Sequence, residues 1–155
     1  MSDLRDLYQE VILDHSRQPR NFRRPDHANR EAKGDNPLCG DKVTVFLTVE
    51  DGKVTDVGFQ GRGCAISTAS ASLMTEIIKG KTEEEARALF ESFHDEMTGK
   101  SACHGAAAGE LDKLTVLSGV REYPMRVKCA TLSWHTLIAA LDKTQTVSTE
   151  SDDRL

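Results

Sequence analysis

The sequence lacks the features that define several classes of protein. Lys and Arg number 20 against 25 Asp and Glu, so the net charge of −5 argues against a general nucleic-acid binder. No apolar run approaches the roughly 18 residues that a membrane-spanning helix needs. The charged N-terminus has no apolar core of the kind found in signal peptides. We therefore expect a cytoplasmic protein that binds neither nucleic acid nor membrane.

Cysteine is scarce, and no two cysteines form a Cys-x-x-Cys pair. A chain of 155 residues can bury a sizeable core without disulfides. In a reducing compartment, thiols are free, catalytic or metal-bound more often than paired. The sequence has four of them: Cys39, Cys64, Cys103 and Cys129.

The hydrophobic pattern changes its period along the chain. Residues 43–49 alternate between apolar and polar side chains, Asp51-Gly52 is a hairpin turn signal, and residues 53–60 form the return strand. Apolar residues at helical spacing predict four main helices, near residues 4–15, 65–79, 83–93 and 126–141. Residues 19–38 are predicted to be a polar connector, and residues 111–117 a short extra helix.

These elements predict an α+β fold. We expect a small antiparallel β-sheet of about three strands, packed on one face by several α-helices. The single domain would span residues 1–142. The polar residues 143–155 would form a disordered tail, because they contain too few apolar side chains to order themselves.

Three cysteines and one aspartate lie at predicted element boundaries. Cys39 and Asp41 flank Gly40 before the first strand, Cys64 lies at a strand-to-helix junction, and Cys129 lies near the start of the last helix. All four can meet at one end of the sheet, where helix N-termini would favour thiolates at Cys64 and Cys129. Three thiolates and a carboxylate form a tetrahedral set suited to Zn²⁺.

Spacing alone leaves alternatives open for these residues. A single buried cysteine is often only a small apolar core residue, and the same ligand set also suits iron. Cys103 and His104 fall in a predicted loop. They are either incidental loop residues or supply an extra thiol or metal ligand. His15, at the polar end of the first helix, is expected at the surface or as a cap.

The segments around the three cysteines carry a family resemblance. NPLCGD at residues 36–41, GRGCAIS at 61–67 and RVKCATLSW at 126–134 resemble the SufU branch of the IscU-like (NifU N-terminal) iron–sulfur cluster assembly proteins. The resemblance covers roughly residues 4–142. Lys128 occupies the position at which IscU proper has a histidine, and SufU-type proteins share this difference.

The resemblance implies a function and roles for individual residues. It implies a zinc site made by Cys39, Asp41, Cys64 and Cys129, with Cys39 as the sulfur acceptor and Arg126 contacting the partner. The chain would be a zinc-dependent sulfurtransferase that takes persulfide sulfur from a SufS-type cysteine desulfurase and thereby activates the desulfurase. Downstream Suf assembly proteins would be further partners. Whether it is itself an enzyme is left open. The alternative is a scaffold on which iron and sulfide are assembled into a transient [2Fe–2S] cluster.

Overall fold

The computed structural model describes residues 3–37, 40–98, 124–142 and 146–148. These residues form four helices and four strands. The helices are α1 (Asp3–Arg17), α2 (Ala65–Ile78), α3 (Glu83–Thr98) and α4 (Pro124–Leu141). The strands are β1 (Arg30–Asn36), β2 (Asp41–Glu50), β3 (Lys53–Arg62) and β4 (Thr146–Ser148).

The sheet has the strand order β3-β2-β1-β4. Strands β1, β2 and β3 pair antiparallel, which confirms the predicted α+β fold with a three-stranded antiparallel sheet. The short β4 adds a parallel edge beside β1, within the segment for which the sequence predicts a disordered tail. The register places Asn36 opposite Asp41 and Lys42 opposite Arg62, so these four residues lie at the same end of the sheet.

Strand β1 is the element that the sequence pattern misses. It forms within the predicted polar connector, and its sequence, REAKGDN, is poor in the β-branched and aromatic residues that favour strands. It forms because it pairs along seven positions with β2 and packs under α4. At Gly34 a Cβ atom would collide with Thr136 Oγ1, so α4 lies directly on the strand.

Two local sequence signals form as predicted. Asp51 and Gly52 adopt φ values of 54° and 76°, the positive values that a tight hairpin turn requires. Thr82 and Glu85 make a reciprocal capping box at the start of α3. The Glu85 N–H donates to Thr82 Oγ1 at 3.1 Å, and the Thr82 N–H donates to Glu85 Oε1 at 2.9 Å.

The core lies between one face of the sheet and the helices. Val43, Val45 and Leu47 of β2 are buried in the core, as the alternation predicts, and β2 packs against α4. Trp134 is fully buried on α4, and its ring centroid lies 5.1 Å from that of Phe93. The small residues of α2 permit close packing of α2 on α4. The Ser70 Oγ of α2 donates a hydrogen bond directly to the Ala130 carbonyl of α4.

The connector covers part of the opposite face of the sheet. The Phe59 N–H donates to the Asn21 carbonyl at 3.0 Å, and the Arg24 guanidinium lies 5.5 Å from the ring centroid of Phe46. Gly58 is required here, because a Cβ would collide with the Arg23 carbonyl. Phe46 is therefore buried on the face of the sheet that the connector covers.

Some predictions concern residues whose structure is not described. The predicted loop and short helix between residues 99 and 117 fall outside the described ranges, and so do Cys103 and His104. The bounds of the domain, residues 1–142, stay a prediction. Among the helices in the described part of the chain, none is long and apolar enough to cross a membrane.

Candidate metal centre

Three of the four predicted ligands converge at one end of the sheet. Asp41 is the first residue of β2, Cys64 is the N-cap of α2, and Cys129 lies in the second turn of α4. One ligand atom from each residue lies within 4.8 Å of those of the other two. Cys39 lies outside the described residues, so its membership of the site stays a prediction.

Asp41 is held in place by the chain that follows β3. The Cys64 N–H donates to Asp41 Oδ1 at 3.0 Å, and Asp41 is 1% exposed. The second carboxylate oxygen lies 4.0 Å from Cys64 Sγ. A Cβ atom on Gly63 would lie 2.7 Å from Asp41 Oδ1. The glycine therefore leaves the space that the buried carboxylate occupies.

Cys64 caps the N-terminus of α2 with its sulfur. The Ser67 N–H donates to Cys64 Sγ at 3.4 Å, as a Ser or Asp oxygen does at other helix starts. A hydrogen bond from the Cys129 thiol, together with the Ser67 and Ile66 amides, lowers the pKa of Cys64 to about 6. These hydrogen bonds stabilise the thiolate that the sequence predicts at Cys64.

Cys129 has a different environment from the one that the sequence predicts. Helix α4 begins at Pro124, so Cys129 lies in its second turn, beyond the free amides of the helix N-terminus. Its hydrogen bond to Cys64 raises the pKa of Cys129, and burial and the nearby Asp41 carboxylate raise it further. The prediction that a helix N-terminus favours a thiolate at Cys129 is therefore wrong.

The three donors fit a zinc ion. Two cysteine sulfurs and a carboxylate oxygen are ligands that Zn²⁺ accepts, and they converge from three different elements. A hydrogen bond of 2.8 Å from the Gly40 N–H to the Asn36 carbonyl brings the residue before Asp41 to the end of β1. Cys39 precedes Asp41 by two residues in the sequence.

Three cationic residues lie near the cluster residues in sequence. Lys42 and Arg62 lie opposite each other on β2 and β3, next in sequence to Asp41 and Gly63, and both are exposed. Arg126 is exposed in the first turn of α4, before Cys129. Its role as a partner contact stays a prediction.

His15 is buried, contrary to the prediction of a surface or capping role. It is 7% exposed, and its Nδ1 lies 2.7 Å from Ser72 Oγ of α2. The sequence pattern misses this because His15 lies at the polar end of α1 and its partner is distant in sequence.

Asn36 is also missed as a site residue, although its amide nitrogen lies 3.9 Å from Cys129 Sγ.

Known proteins share this fold and sequence. The chain matches the NifU-like N terminal domain over residues 7–142. The iron–sulfur cluster assembly scaffold protein IscU of Streptococcus pyogenes is 37% identical over 143 residues, which cover 92% of this chain and 87% of that protein. The zinc-dependent sulfurtransferase SufU of Bacillus subtilis is 40% identical over 136 residues, covering 88% of this chain and 90% of that protein. The crystal structure of SufU from Fervidobacterium islandicum AW-1 superposes with a TM-score of 0.79 at 38% identity, covering 85% of this chain and 94% of that one.

The fold and the cluster define a class of small α+β proteins that hold thiols and a carboxylate together at one end of an antiparallel sheet. The chain belongs to the NifU-like N-terminal domain family, the IscU/SufU family of iron–sulfur cluster assembly proteins.

Proposed function

We propose that this protein is a zinc-dependent sulfur acceptor that works with a SufS-type cysteine desulfurase in the cytoplasm. The observation that carries the proposal is the cluster of Asp41, Cys64 and Cys129, with Cys39 two residues before Asp41 in the sequence. The likeness to a protein named as a zinc-dependent sulfurtransferase supports the same role.

Four residues would hold the zinc ion: Cys39, Asp41, Cys64 and Cys129. When bound, zinc would stabilise the thiolate forms of its cysteine ligands near neutral pH. The chain contributes the arrangement of the donors. The Cys64 N–H fixes the Asp41 carboxylate, and the Ser67 N–H stabilises negative charge on Cys64.

Cys39 is the proposed sulfur acceptor. Its thiolate attacks the outer sulfur of the desulfurase persulfide, and the partner's cysteine leaves as a thiolate. One sulfur–sulfur bond breaks while another forms at Cys39 Sγ, so no external oxidant or reductant is needed. The persulfide on Cys39 then becomes the sulfur donor for a downstream Suf assembly protein.

A Cys39→Ala variant tests this role, with Cys103→Ala as the matched control. We expect Cys39→Ala to stop stimulation of the desulfurase and to remove the mass increase of one sulfur atom after incubation with desulfurase and cysteine. Cys103→Ala should retain both. Wild-type stimulation by a zinc-loaded Cys39→Ala variant would show that Cys39 is not the acceptor.

Arg126 is the proposed contact to the desulfurase. Arg126 is exposed in the first turn of α4, one turn before Cys129, so its cation is accessible to an acidic partner surface. We expect Arg126→Glu to weaken desulfurase binding in a salt-dependent manner, without loss of bound zinc. Arg17→Glu is the control, because Arg17 is exposed at the end of α1. Equal weakening by both variants would exclude a specific contact at Arg126.

Assembly of a [2Fe–2S] cluster on the same donors is the second candidate. It is favoured by the relative named as an IscU scaffold protein, and thiolates bind iron–sulfur clusters readily. Metal and sulfide analysis of protein purified without oxygen separates the two. Stoichiometric zinc supports sulfur transfer, whereas iron with labile sulfide supports the scaffold.

A further inference from the structure

We infer that Asn36 is a positioning residue of the metal centre, which links the sulfur of Cys129 to the backbone at Gly40, directly before Asp41. The inference rests on the zinc site of the proposed function. It assigns no ligand bond to Asn36. It concerns how the chain holds the ligands in place.

The side chain of Asn36 contacts the cluster at Cys129. Asn36 is the last residue of β1 and is 1% exposed. Its Nδ2 donates to Cys129 Sγ over 3.9 Å, across 93 positions of sequence. An amide N–H directed at a sulfur stabilises negative charge there, because hydrogen bonds to charged acceptors are stronger than those between neutral groups.

The backbone of Asn36 is joined to the other side of the site. Its carbonyl accepts the Gly40 N–H at 2.8 Å, and its register partner on β2 is Asp41. The residue therefore lies opposite Asp41 and is hydrogen-bonded to the residue that precedes Asp41. One side chain and one carbonyl of the same residue connect β1 to α4 and to the start of β2.

This placement makes Asn36 a hydrogen-bond donor to a sulfur of the cluster, in addition to a buried residue of the sheet. Cys129 lies in the second turn of α4, whereas Cys64 is the N-cap of α2. Cys64 receives the Ser67 N–H from its own helix. The Asn36 amide supplies to Cys129 the kind of donor that the start of α2 supplies to Cys64.

The test removes the amide in two ways. Asn36→Leu keeps the volume of the side chain, whereas Asn36→Ala removes most of it, so that a packing effect can be told from loss of the donor. Asn29→Leu is the matched control. The Asn29 amide makes two backbone hydrogen bonds of 2.9 Å with Val49 at the opposite end of β1 and β2.

Zinc affinity is measured on the full chain by competition with a chromophoric chelator. The charge-transfer absorption of the cobalt-substituted protein reports the thiolate ligands directly. We expect both Asn36 variants to bind zinc about 10- to 100-fold more weakly, the usual effect of losing a partner of a ligand, and to shift the cobalt–sulfur absorption. Asn29→Leu should lower thermal stability but retain zinc affinity and the cobalt spectrum.

Two outcomes would overturn the inference. If the Asn36 variants lose thermal stability but keep wild-type zinc affinity and the wild-type cobalt spectrum, Asn36 is only a packing residue. If only Asn36→Ala is altered, the effect comes from lost volume and not from the lost donor. Absence of zinc binding by the unaltered protein would overturn the zinc site itself, and with it the proposed function.

Discussion

Single residues at the cluster show how little space the chain leaves around its candidate ligands. The Asp41 carboxylate is buried, and the Cys64 amide and the backbone at Gly63 both border it. A buried carboxylate without partners would be costly. Here the N–H from Cys64 offsets part of that cost, and Gly63 permits the approach because it has no side chain.

We predict that Gly63→Ala lowers zinc affinity by at least about tenfold, because the new methyl group would displace a ligand from its position. A Cβ 2.7 Å from Asp41 Oδ1 forces the carboxylate to move. Chelator competition measures the affinity. Ala65→Ser, at an exposed position in the first turn of α2, is the control. Equal zinc affinity in the two variants would contradict the prediction.

At the scale of elements, a buried polar network joins α1 to α2. The Arg20 N–H donates to Ser72 Oγ at 2.8 Å, and Ser72 Oγ lies 2.7 Å from His15 Nδ1. The Asn21 amide donates to Thr75 Oγ1 at 3.0 Å. Because Ser72 Oγ accepts the Arg20 N–H, its own proton can be donated to a neutral His15 ring.

This network predicts a loss of stability in mild acid. Burial and the Arg20 cation lower the pKa of His15 below its usual 6.5. The unfolded chain therefore binds a proton at a higher pH than the folded protein does. The contribution of the neutral His15 ring to the free energy of unfolding is fully present above pH 6.5, and it is lost as the pH falls below that value.

The measurement is the free energy of unfolding in urea at several values between about pH 7 and 5. His15→Gln should show a smaller decrease with falling pH than the unaltered protein. His27→Gln removes an exposed histidine from the connector and should keep the original slope. Identical slopes for all three proteins would show that His15 does not cause the pH dependence.

The packing of α4 on β1 is a second contact between elements that can be tested. Gly34→Ala would bring a methyl group into Thr136 Oγ1. Overpacking of this kind costs about 1–3 kcal/mol of unfolding free energy. Adding Thr136→Ala removes the clashing atom, so the double variant should be less destabilised than the two single effects added together. Additive losses in urea unfolding would argue against direct contact.

For the whole molecule, the candidate metal centre joins parts of the fold that are distant in sequence. Its described ligands come from β2, the start of α2 and the second turn of α4. A ligand that binds only the folded state stabilises it by mass action. A zinc ion held there would therefore stabilise the arrangement of the helices on the sheet as well as the site.

We predict that zinc raises the melting temperature. At a free concentration of 100 times its Kd, zinc contributes about 2.7 kcal/mol, which corresponds to a rise of about 5–10 °C for a domain of this size. Scanning calorimetry with zinc and with chelator measures the difference. Cys64→Ser should show a much smaller rise, and a full rise in that variant would place the stabilising zinc elsewhere.

Local signals in the sequence predicted most of the elements. The hairpin and the α3 capping box form where Asp51-Gly52 and Thr82 to Glu85 indicate them, because both depend on neighbouring residues only. Strand β1 was missed because its pairing with β2 overrides weak local propensity. Burial of His15 was missed for a related reason, since its partner Ser72 lies on another helix.

The sequence by itself determined the α+β fold class, the family and the residue types of the candidate site, because these depend on periodicity and on motifs of a few residues. The tertiary structure decided which of those residues meet and in what environment. Only the packing of α4 against β1 and α2 brings Cys129 to Cys64 and Asn36. It also gives the two thiols opposite pKa shifts, because the hydrogen bond between them favours the thiolate at Cys64 and the thiol at Cys129, and burial raises the pKa of Cys129 further.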